Sequence, residues 1–141
     1  MAGIVLITHG KYGEGLLNAL SMLLGDEAVR SIHVITLGPL DSPEFLYERV
    51  KSAVSGADDG KGVLILVDLF GGTPSRVAAQ LLSEGFKVEV VSGVNLPMLV
   101  EIAMQRDKTA RELAEIAVKT GVEGIVDIGE KVRKALGKST S

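Results

Sequence analysis

One histidine lies where an apolar segment near the start of the chain gives way to glycine. Residues 4–7 are all branched aliphatic, and Thr8, His9 and Gly10 follow them directly. This pattern is typical of a buried parallel strand that ends at a turn, and a helical pattern begins at Gly13. His9 is therefore predicted at the carboxyl end of a strand, beside a helix N-terminus whose free N–H groups can bind an anion. A neutral imidazole in that position can accept a phosphoryl group.

An aspartate occupies the corresponding position after the most hydrophobic run of the chain. Residues 63–67 read Val-Leu-Ile-Leu-Val, and Asp68 follows them. In a flavodoxin-like sheet the first and third strands are neighbours, so His9 and Asp68 are predicted to face one crevice. A carboxylate there can accept a hydrogen bond from one ring nitrogen, fix the tautomer, and leave the other nitrogen as a nucleophile. Alternatively, Asp68 caps the next helix and His9 only fills the rim of the sheet.

Glycines surround the predicted crevice. Gly10 follows the first strand, and Gly71 and Gly72 follow the third, where they permit backbone N–H groups to approach a transferred phosphoryl group closely. Thr73 comes next and Pro74 begins the following helix. The Thr73 hydroxyl can donate to the phosphate or cap that helix, and both interpretations stay open at this point.

The composition restricts the class of protein. The 141 residues are 46% hydrophobic and 23% charged and include no cysteine, which fits one globular domain without disulfides or thiolate metal sites. A net charge of -3 without a basic cluster argues against nucleic acid as a partner. No apolar run reaches the roughly 18 residues of a membrane span, and no signal segment opens the chain. We therefore expect no direct membrane insertion and a cytoplasmic protein.

Alternating strand and helix patterns place these residues in the fold. Strands are predicted at 4–9, 32–37, 63–67 and 86–91, with helices between them and a capping box at Thr109 and Glu112. The alternation predicts an α/β fold, doubly wound and flavodoxin-like, with a mainly parallel sheet of about four strands. A short C-terminal strand is predicted at 124–128. The tail of about 130–141 is predicted to be a frayed helix followed by disorder.

Motifs at three successive strand ends together resemble a known family. They are Ile-Thr-His-Gly at 7–10, Val-Asp-Leu-Phe-Gly-Gly-Thr-Pro at 67–74 and Gly-Val-Asn-Leu-Pro-Met-Leu at 93–99, and Thr-Gly-Val-Glu-Gly follows at 120–124. In these motifs the chain resembles the enzyme IIA component of the mannose family of the bacterial phosphoenolpyruvate-dependent sugar phosphotransferase system. The resemblance covers nearly the whole chain and implies a single IIA domain over residues 1–141.

The resemblance implies a phosphotransferase component. His9 would accept a phosphoryl group from the carrier protein HPr and pass it to the enzyme IIB partner of a mannose-family permease. Asp68 would pair with His9, and Thr73 stands where many members carry serine. Since transfer between two histidines is close to thermoneutral, alignment and charge stabilisation suffice, and neither a metal nor a cofactor is required. The IIA component exchanges phosphoryl groups only with proteins, so the permease decides which sugar is carried.

The resemblance also implies how the chain associates with other proteins. The family suggests a homodimer in which the strand at 124–128 pairs with the other subunit's sheet, and the end of the chain at Ser141 predicts a separate IIB polypeptide. Apolar residues near the strand ends are candidates for transient partner contact, although they could instead belong to the core. They are Phe70, Leu96, Pro97 and Met98.

Three other functions fit parts of the pattern. A response-regulator receiver uses an aspartate after its third strand, but it needs acidic Mg²⁺ ligands after the first strand, where this chain has Thr8, His9 and Gly10. The phosphotransfer subunit of a dihydroxyacetone kinase also uses a histidine after its first strand. A regulatory module that reports phosphorylation state would share the same histidine chemistry.

Overall fold

Four parallel strands form the centre of the molecule in the computed structural model, which describes residues 1–137. Their order in the sheet is β2-β1-β3-β4, so the first and third strands are neighbours, as predicted. This arrangement confirms the α/β, doubly wound and flavodoxin-like fold with four strands. The strands are β1 (Gly3–His9), β2 (Ile32–Leu37), β3 (Val63–Val67) and β4 (Val88–Val91).

Helices cover both faces of the sheet because β1 and β3 are apolar on both sides. Residues 4–7 of β1 and all of β3 are 0% exposed, so neither face of these strands can lie against water. One face packs against α1, α4 and α5, and the other against α2 and α3. The helices are α1 (Tyr12–Leu24), α2 (Pro43–Ala57), α3 (Thr73–Ser83), α4 (Leu96–Ala103), α5 (Ala110–Glu123) and α6 (Ile128–Ala135).

Side-chain caps fix the start of several helices. Ser42 caps α2, accepting a hydrogen bond from the Phe45 N–H at 3.1 Å. The predicted capping box at the start of α5 is confirmed: the Thr109 hydroxyl accepts from the Glu112 N–H at 3.2 Å, and the Glu112 carboxylate accepts from the Thr109 N–H at 3.1 Å.

The segment 124–128, predicted as a short fifth strand, joins no sheet within the described chain. Gly124 follows α5, and Asp127 caps α6 by accepting a hydrogen bond from the Glu130 N–H at 2.8 Å. The prediction is therefore wrong for the single chain. A strand needs a neighbouring ladder, whereas the Gly124 and Ile125 N–H groups donate back to the Thr120 and Val122 carbonyls of α5. Pairing of the segment across a dimer stays a prediction.

The C-terminal part is helical where it is described. A helix is predicted from about residue 130, and α6 spans Ile128–Ala135. The predicted disorder at the end of the chain concerns residues 138–141, which lie outside the described residues. Among residues 1–137, no helix combines the length and the apolar composition that crossing a membrane requires.

We predict that two glycines of α1 respond in opposite ways to substitution by alanine. A Cβ at Gly13 would lie 2.8 Å from the buried Thr8 hydroxyl, so Gly13→Ala should lower the free energy of unfolding by about 1–2 kcal/mol. A Cβ added at Gly15 would meet nothing within 4 Å beyond its chain neighbours and the backbone of its own helix, so Gly15→Ala should raise the free energy of unfolding by about 0.5–1 kcal/mol. Urea denaturation of both variants measures the two effects. Equal shifts of the same sign would contradict this packing of α1 against β1.

Candidate functional site

The ends of the two central strands bring His9 and Asp68 together. His9 is the last residue of β1, and Asp68 directly follows β3. The Oδ2 atom of Asp68 accepts a hydrogen bond from the His9 backbone N–H at 2.8 Å and lies 2.9 Å from His9 Nδ1. The predicted pairing of these two residues is confirmed. Asp68 does not cap α3, since Gly72 occupies the N-cap position, so the capping part of the alternative is wrong.

Hydrogen bonds keep the Asp68 carboxyl ionised. Its side chain is only 11% exposed, and this burial acts to raise the pKa. The hydrogen bonds from the His9 backbone and ring, the charge of His9 when its ring is protonated, and the Leu69 N–H at 2.9 Å outweigh the burial and leave the pKa of Asp68 below its usual value. The carboxylate therefore carries a full negative charge at neutral pH.

The ionised carboxylate determines the tautomer of the neutral His9 ring. A carboxylate can only accept hydrogen bonds, so Nδ1, at 2.9 Å, must carry the proton. Nε2 of the neutral ring then has a free lone pair, and the His9 side chain is 48% exposed. The site therefore presents a fixed, accessible nucleophilic nitrogen backed by a negative charge.

Two of the predicted glycines have backbone angles that favour glycine, and a third lets the backbone lie close to the His9 ring. Gly10 has φ +54° and Gly71 has φ +93°, in the left-handed region. A Cβ at Gly72 would lie 3.3 Å from His9 Cε1 and 3.8 Å from Nε2. The turn at Gly71 and Gly72 therefore lies directly beside the nucleophilic nitrogen, at the start of α3.

The Thr73 hydroxyl does not cap α3, which corrects one of the two interpretations of this residue. Thr73 is already inside the helix, and no side chain of the described residues caps its start. The hydroxyl oxygen instead accepts a hydrogen bond from Arg76 Nη2 at 3.3 Å. This contact occupies the oxygen as an acceptor and leaves the hydroxyl proton available for donation to a phosphate.

The turn after β4 contributes structural contacts to the same edge of the sheet. The Tyr12 hydroxyl donates to the Val94 carbonyl at 2.7 Å and joins the start of α1 to this turn. Asn95 caps α4, accepting from the Met98 N–H at 3.0 Å and donating to the Gly121 carbonyl at 3.0 Å. The amide of Asn95 is therefore committed to the fold.

The four residues predicted for partner contact differ in exposure. Phe70 is 89% exposed, Pro97 is exposed, and Leu96 is partly buried against the core. Met98 is only 3% exposed and belongs to the core beside α5, where its methyl group packs near Gly121. The prediction of partner contact is therefore wrong for Met98, because the first turn of α4 rotates this side chain inward.

Two residues at this edge were not predicted from the sequence. Arg76 donates to the Gly71 carbonyl at 3.3 Å as well as to Thr73. It follows Gly72 by four residues, about one helical turn, and this spacing could have indicated that its side chain lies near the glycine turn. Leu40, in the turn after β2, is 96% exposed, but nothing in the local sequence separates it from a core leucine. Residues 1–137 contain no group of three or more histidine, cysteine or acidic side chains placed to hold a metal ion.

A family model matches most of the chain. The model describes the fructose IIA component of the phosphotransferase system and aligns with residues 3–119, which include β1, β3 and every residue of the site.

Individual proteins show the same relationship. The mannose-specific EIIAB component of Escherichia coli strain K12 is 40% identical over 135 residues, covering 94% of this chain, and the chain spans 41% of that protein's length. The sorbose-specific EIIA component of Lacticaseibacillus casei is 30% identical over 92% of both chains. The crystal structure of a phosphotransferase system EIIA component from Streptococcus agalactiae superimposes with a TM-score of 0.82 at 30% identity, over 92% of this chain and 99% of that one.

We predict that the pKa of Asp68 lies in the acidic range below that of ordinary aspartates. The carboxylate then stabilises the fold above the ordinary aspartate pKa, and this contribution is lost as the pH falls through the lowered folded-state value. Carbon NMR of the Asp68 carboxyl measures the midpoint. In parallel, the stability difference between wild type and Asp68→Asn should shrink as the solution is acidified. A midpoint at or above the ordinary value would contradict the hydrogen bonds described here.

Proposed function

The chain belongs to the mannose, fructose and sorbose family of enzyme IIA components of the sugar phosphotransferase system, and on this premise we propose that it is a phosphohistidine carrier. His9 accepts a phosphoryl group from phospho-HPr and passes it to an enzyme IIB partner for sugar uptake. The observation that carries the proposal is the Nδ1 contact with ionised Asp68, because it leaves Nε2 as the free nucleophile.

The transfer is a displacement at phosphorus. The lone pair of His9 Nε2 forms a bond to phosphorus while the bond from phosphorus to the donor's histidine nitrogen breaks, and its electrons return to the donor ring. The proton on Nδ1 stays in the hydrogen bond to Asp68, which stabilises the positive charge that develops on the His9 ring. Transfer to the IIB partner reverses these events with a new acceptor.

The glycine turn and Thr73 are proposed to bind the transferred group. Gly71 and Gly72 lie at the N-terminus of α3, where free backbone N–H groups favour an anion. Gly10 permits the tight turn from β1 to α1 beside the histidine. Thr73 retains a hydroxyl proton that can be donated to a phosphoryl oxygen.

Partner proteins are proposed to dock on the apolar surface around His9. Leu69 and Phe70 are 63% and 89% exposed and directly follow Asp68, and the exposed Pro97 and partly buried Leu96 begin α4 after the neighbouring strand β4. Exposed apolar side chains beside a reactive group are suited to transient contact, in which HPr and the IIB partner use the same face in turn. Such exchange among soluble partners fits a cytoplasmic protein.

The two alternatives that share this chemistry differ in the step after phosphorylation of His9. A dihydroxyacetone kinase subunit would pass the group to a kinase partner, and a regulatory module would report its phosphorylation state to a regulator. The IIA carrier is preferred because relatives that match across the chain carry mannose, fructose or sorbose names within the phosphotransferase system.

Two copies of the chain are proposed to associate through the segment 124–128. This segment is exposed throughout, with Ile125 and Ile128 at 78% and 72%, and within residues 1–137 β4 ends the sheet without a neighbour on its outer side. A cavity of about 500 Å³ lies along that edge, lined in part by Val90, Val122 and Ile125. Pairing between copies would cover both the apolar side chains and the open edge.

We predict that phosphorylation requires His9 and not His33, the only other histidine. Incubation with enzyme I, HPr and phosphoenolpyruvate should add one acid-labile phosphoryl group to wild type and to the matched control His33→Gln, which alters an exposed position on β2. His9→Gln should gain none. Intact-mass measurement before and after acid treatment gives the result. Labelling of His9→Gln, or no labelling of wild type, would overturn the proposal.

We predict a sedimentation mass of twice 14.8 kDa for the wild type. Ile125→Glu should shift the protein toward the monomer because it places a charge in the proposed contact. The matched control Met22→Glu also replaces an apolar residue, 84% exposed on α1, and should remain dimeric. Analytical ultracentrifugation separates these cases. A monomeric wild type would overturn the association.

A further inference from the structure

One cation is bonded to the turn that borders His9. The Arg76 guanidinium donates to the Gly71 carbonyl and to the Thr73 hydroxyl, both at 3.3 Å, so it spans the two ends of this turn. The side chain is otherwise exposed, and two contacts leave several of its five N–H donors free. Among the described residues it forms no ion pair with a carboxylate, unlike Arg30, Arg111 and Arg133.

The same turn lies beside the reactive nitrogen. The space next to Gly72 is bordered by His9 Cε1 and Nε2, which would lie 3.3 and 3.8 Å from a Cβ placed there. Gly72 is the residue between the two contacts of Arg76, and its carbonyl accepts from the Arg76 backbone N–H at 3.0 Å. The guanidinium and Nε2 therefore border one short stretch of backbone.

The charges at the site create a need for a cation. Asp68 is ionised, and a phosphoryl group on Nε2 adds up to two further negative charges close to it. Backbone N–H groups of the glycine turn supply only partial positive charge. A planar guanidinium that is free of carboxylate partners is suited to bind phosphate oxygens with two parallel hydrogen bonds.

The surroundings of Arg76 do not neutralise it. A cavity of about 470 Å³ between α2 and α3 is bordered by Arg76 and Thr73 and also by Glu44 and Glu48. Neither glutamate is paired with the guanidinium in the described part of the chain, and Glu48 belongs to the exposed face of α2. The guanidinium is therefore held by the turn rather than by the acidic wall of the cavity.

We propose that Arg76 is a phosphate-binding residue of this site, which holds the glycine turn in the free protein and contacts the phosphoryl oxygens when the group is on His9. This inference rests on the proposed function of His9. As the bond from Nε2 to phosphorus forms and the bond to the donor nitrogen breaks, the three phosphoryl oxygens keep their negative charge. Arg76 stabilises that charge without gaining or losing a proton, because its guanidinium stays protonated.

The test measures the phosphoryl group itself. Wild type, Arg76→Gln, Arg76→Lys and the control Arg30→Gln are phosphorylated, and the pKa of the phosphohistidine phosphate is titrated by phosphorus NMR. Arg30 is an exposed arginine that precedes β2, at the opposite end of the sheet from His9. A cation at the phosphate lowers the pKa of the second phosphate ionisation. Removing that cation in Arg76→Gln should therefore raise this pKa. The ionisation constant should change by roughly twofold to fivefold, the size expected for an exposed charge pair.

Three comparisons decide the inference. Arg30→Gln should titrate like wild type, Arg76→Lys should keep most of the lowered pKa, and Arg76→Gln should also accept the group from phospho-HPr severalfold more slowly. A phosphate pKa that is the same in Arg76→Gln, Arg30→Gln and wild type would overturn the role of Arg76 while leaving the carrier function intact. Failure of wild type to become phosphorylated would instead overturn the carrier function. A merely structural role of Arg76 would change thermal stability without moving the phosphate pKa.

Discussion

The hydrogen bond between His9 and Asp68 is the interaction on which the rest of the site depends. It forms because β1 and β3 are neighbours in a parallel sheet and end at the same edge, so residues 59 positions apart in the chain come within 2.9 Å. The carboxylate accepts from the ring, from the His9 backbone and from Leu69. These contacts fix the orientation and the tautomer of the neutral ring, and the glycine turn lies beside the nitrogen that remains free.

In the proposed transfer, electrostatic balance lets a carboxylate and an anionic phosphoryl group share one crevice. In our proposal Asp68 stabilises positive charge on the His9 ring during transfer and also repels the phosphoryl group nearby. In the same proposal the opposing contribution comes from the backbone N–H dipoles of the glycine turn at the start of α3 and from Arg76. Asp68 lies on the Nδ1 side of the ring and the glycine turn lies on the Nε2 side. The negative carboxylate and the partial positive charge of the turn therefore act on different ring nitrogens.

Exposed apolar residues of the chain form two surfaces, which suit different kinds of contact with other proteins. Leu40, Leu69 and Phe70 lie in turns at the carboxyl edge of the sheet, a position that suits the brief partner contact we propose. The segment 124–128 follows α5 and carries several apolar residues beside the open edge of β4. For the second surface we propose a lasting association between two copies, because an open strand edge invites pairing.

The sequence by itself determined the alternation of elements, the parallel sheet, and the pairing of His9 with Asp68, because buried strands and strand-end glycines leave strong local patterns. It also determined the capping box at Thr109, which is a local interaction. Tertiary structure decided the rest. The inward rotation of Met98, the exposure of Leu40 and the contact of Arg76 with Gly71 depend on how helices pack on the sheet. The segment 124–128 has a strand-like pattern but joins no sheet in the described chain, since periodicity records which residues are apolar and a strand also requires a neighbouring ladder.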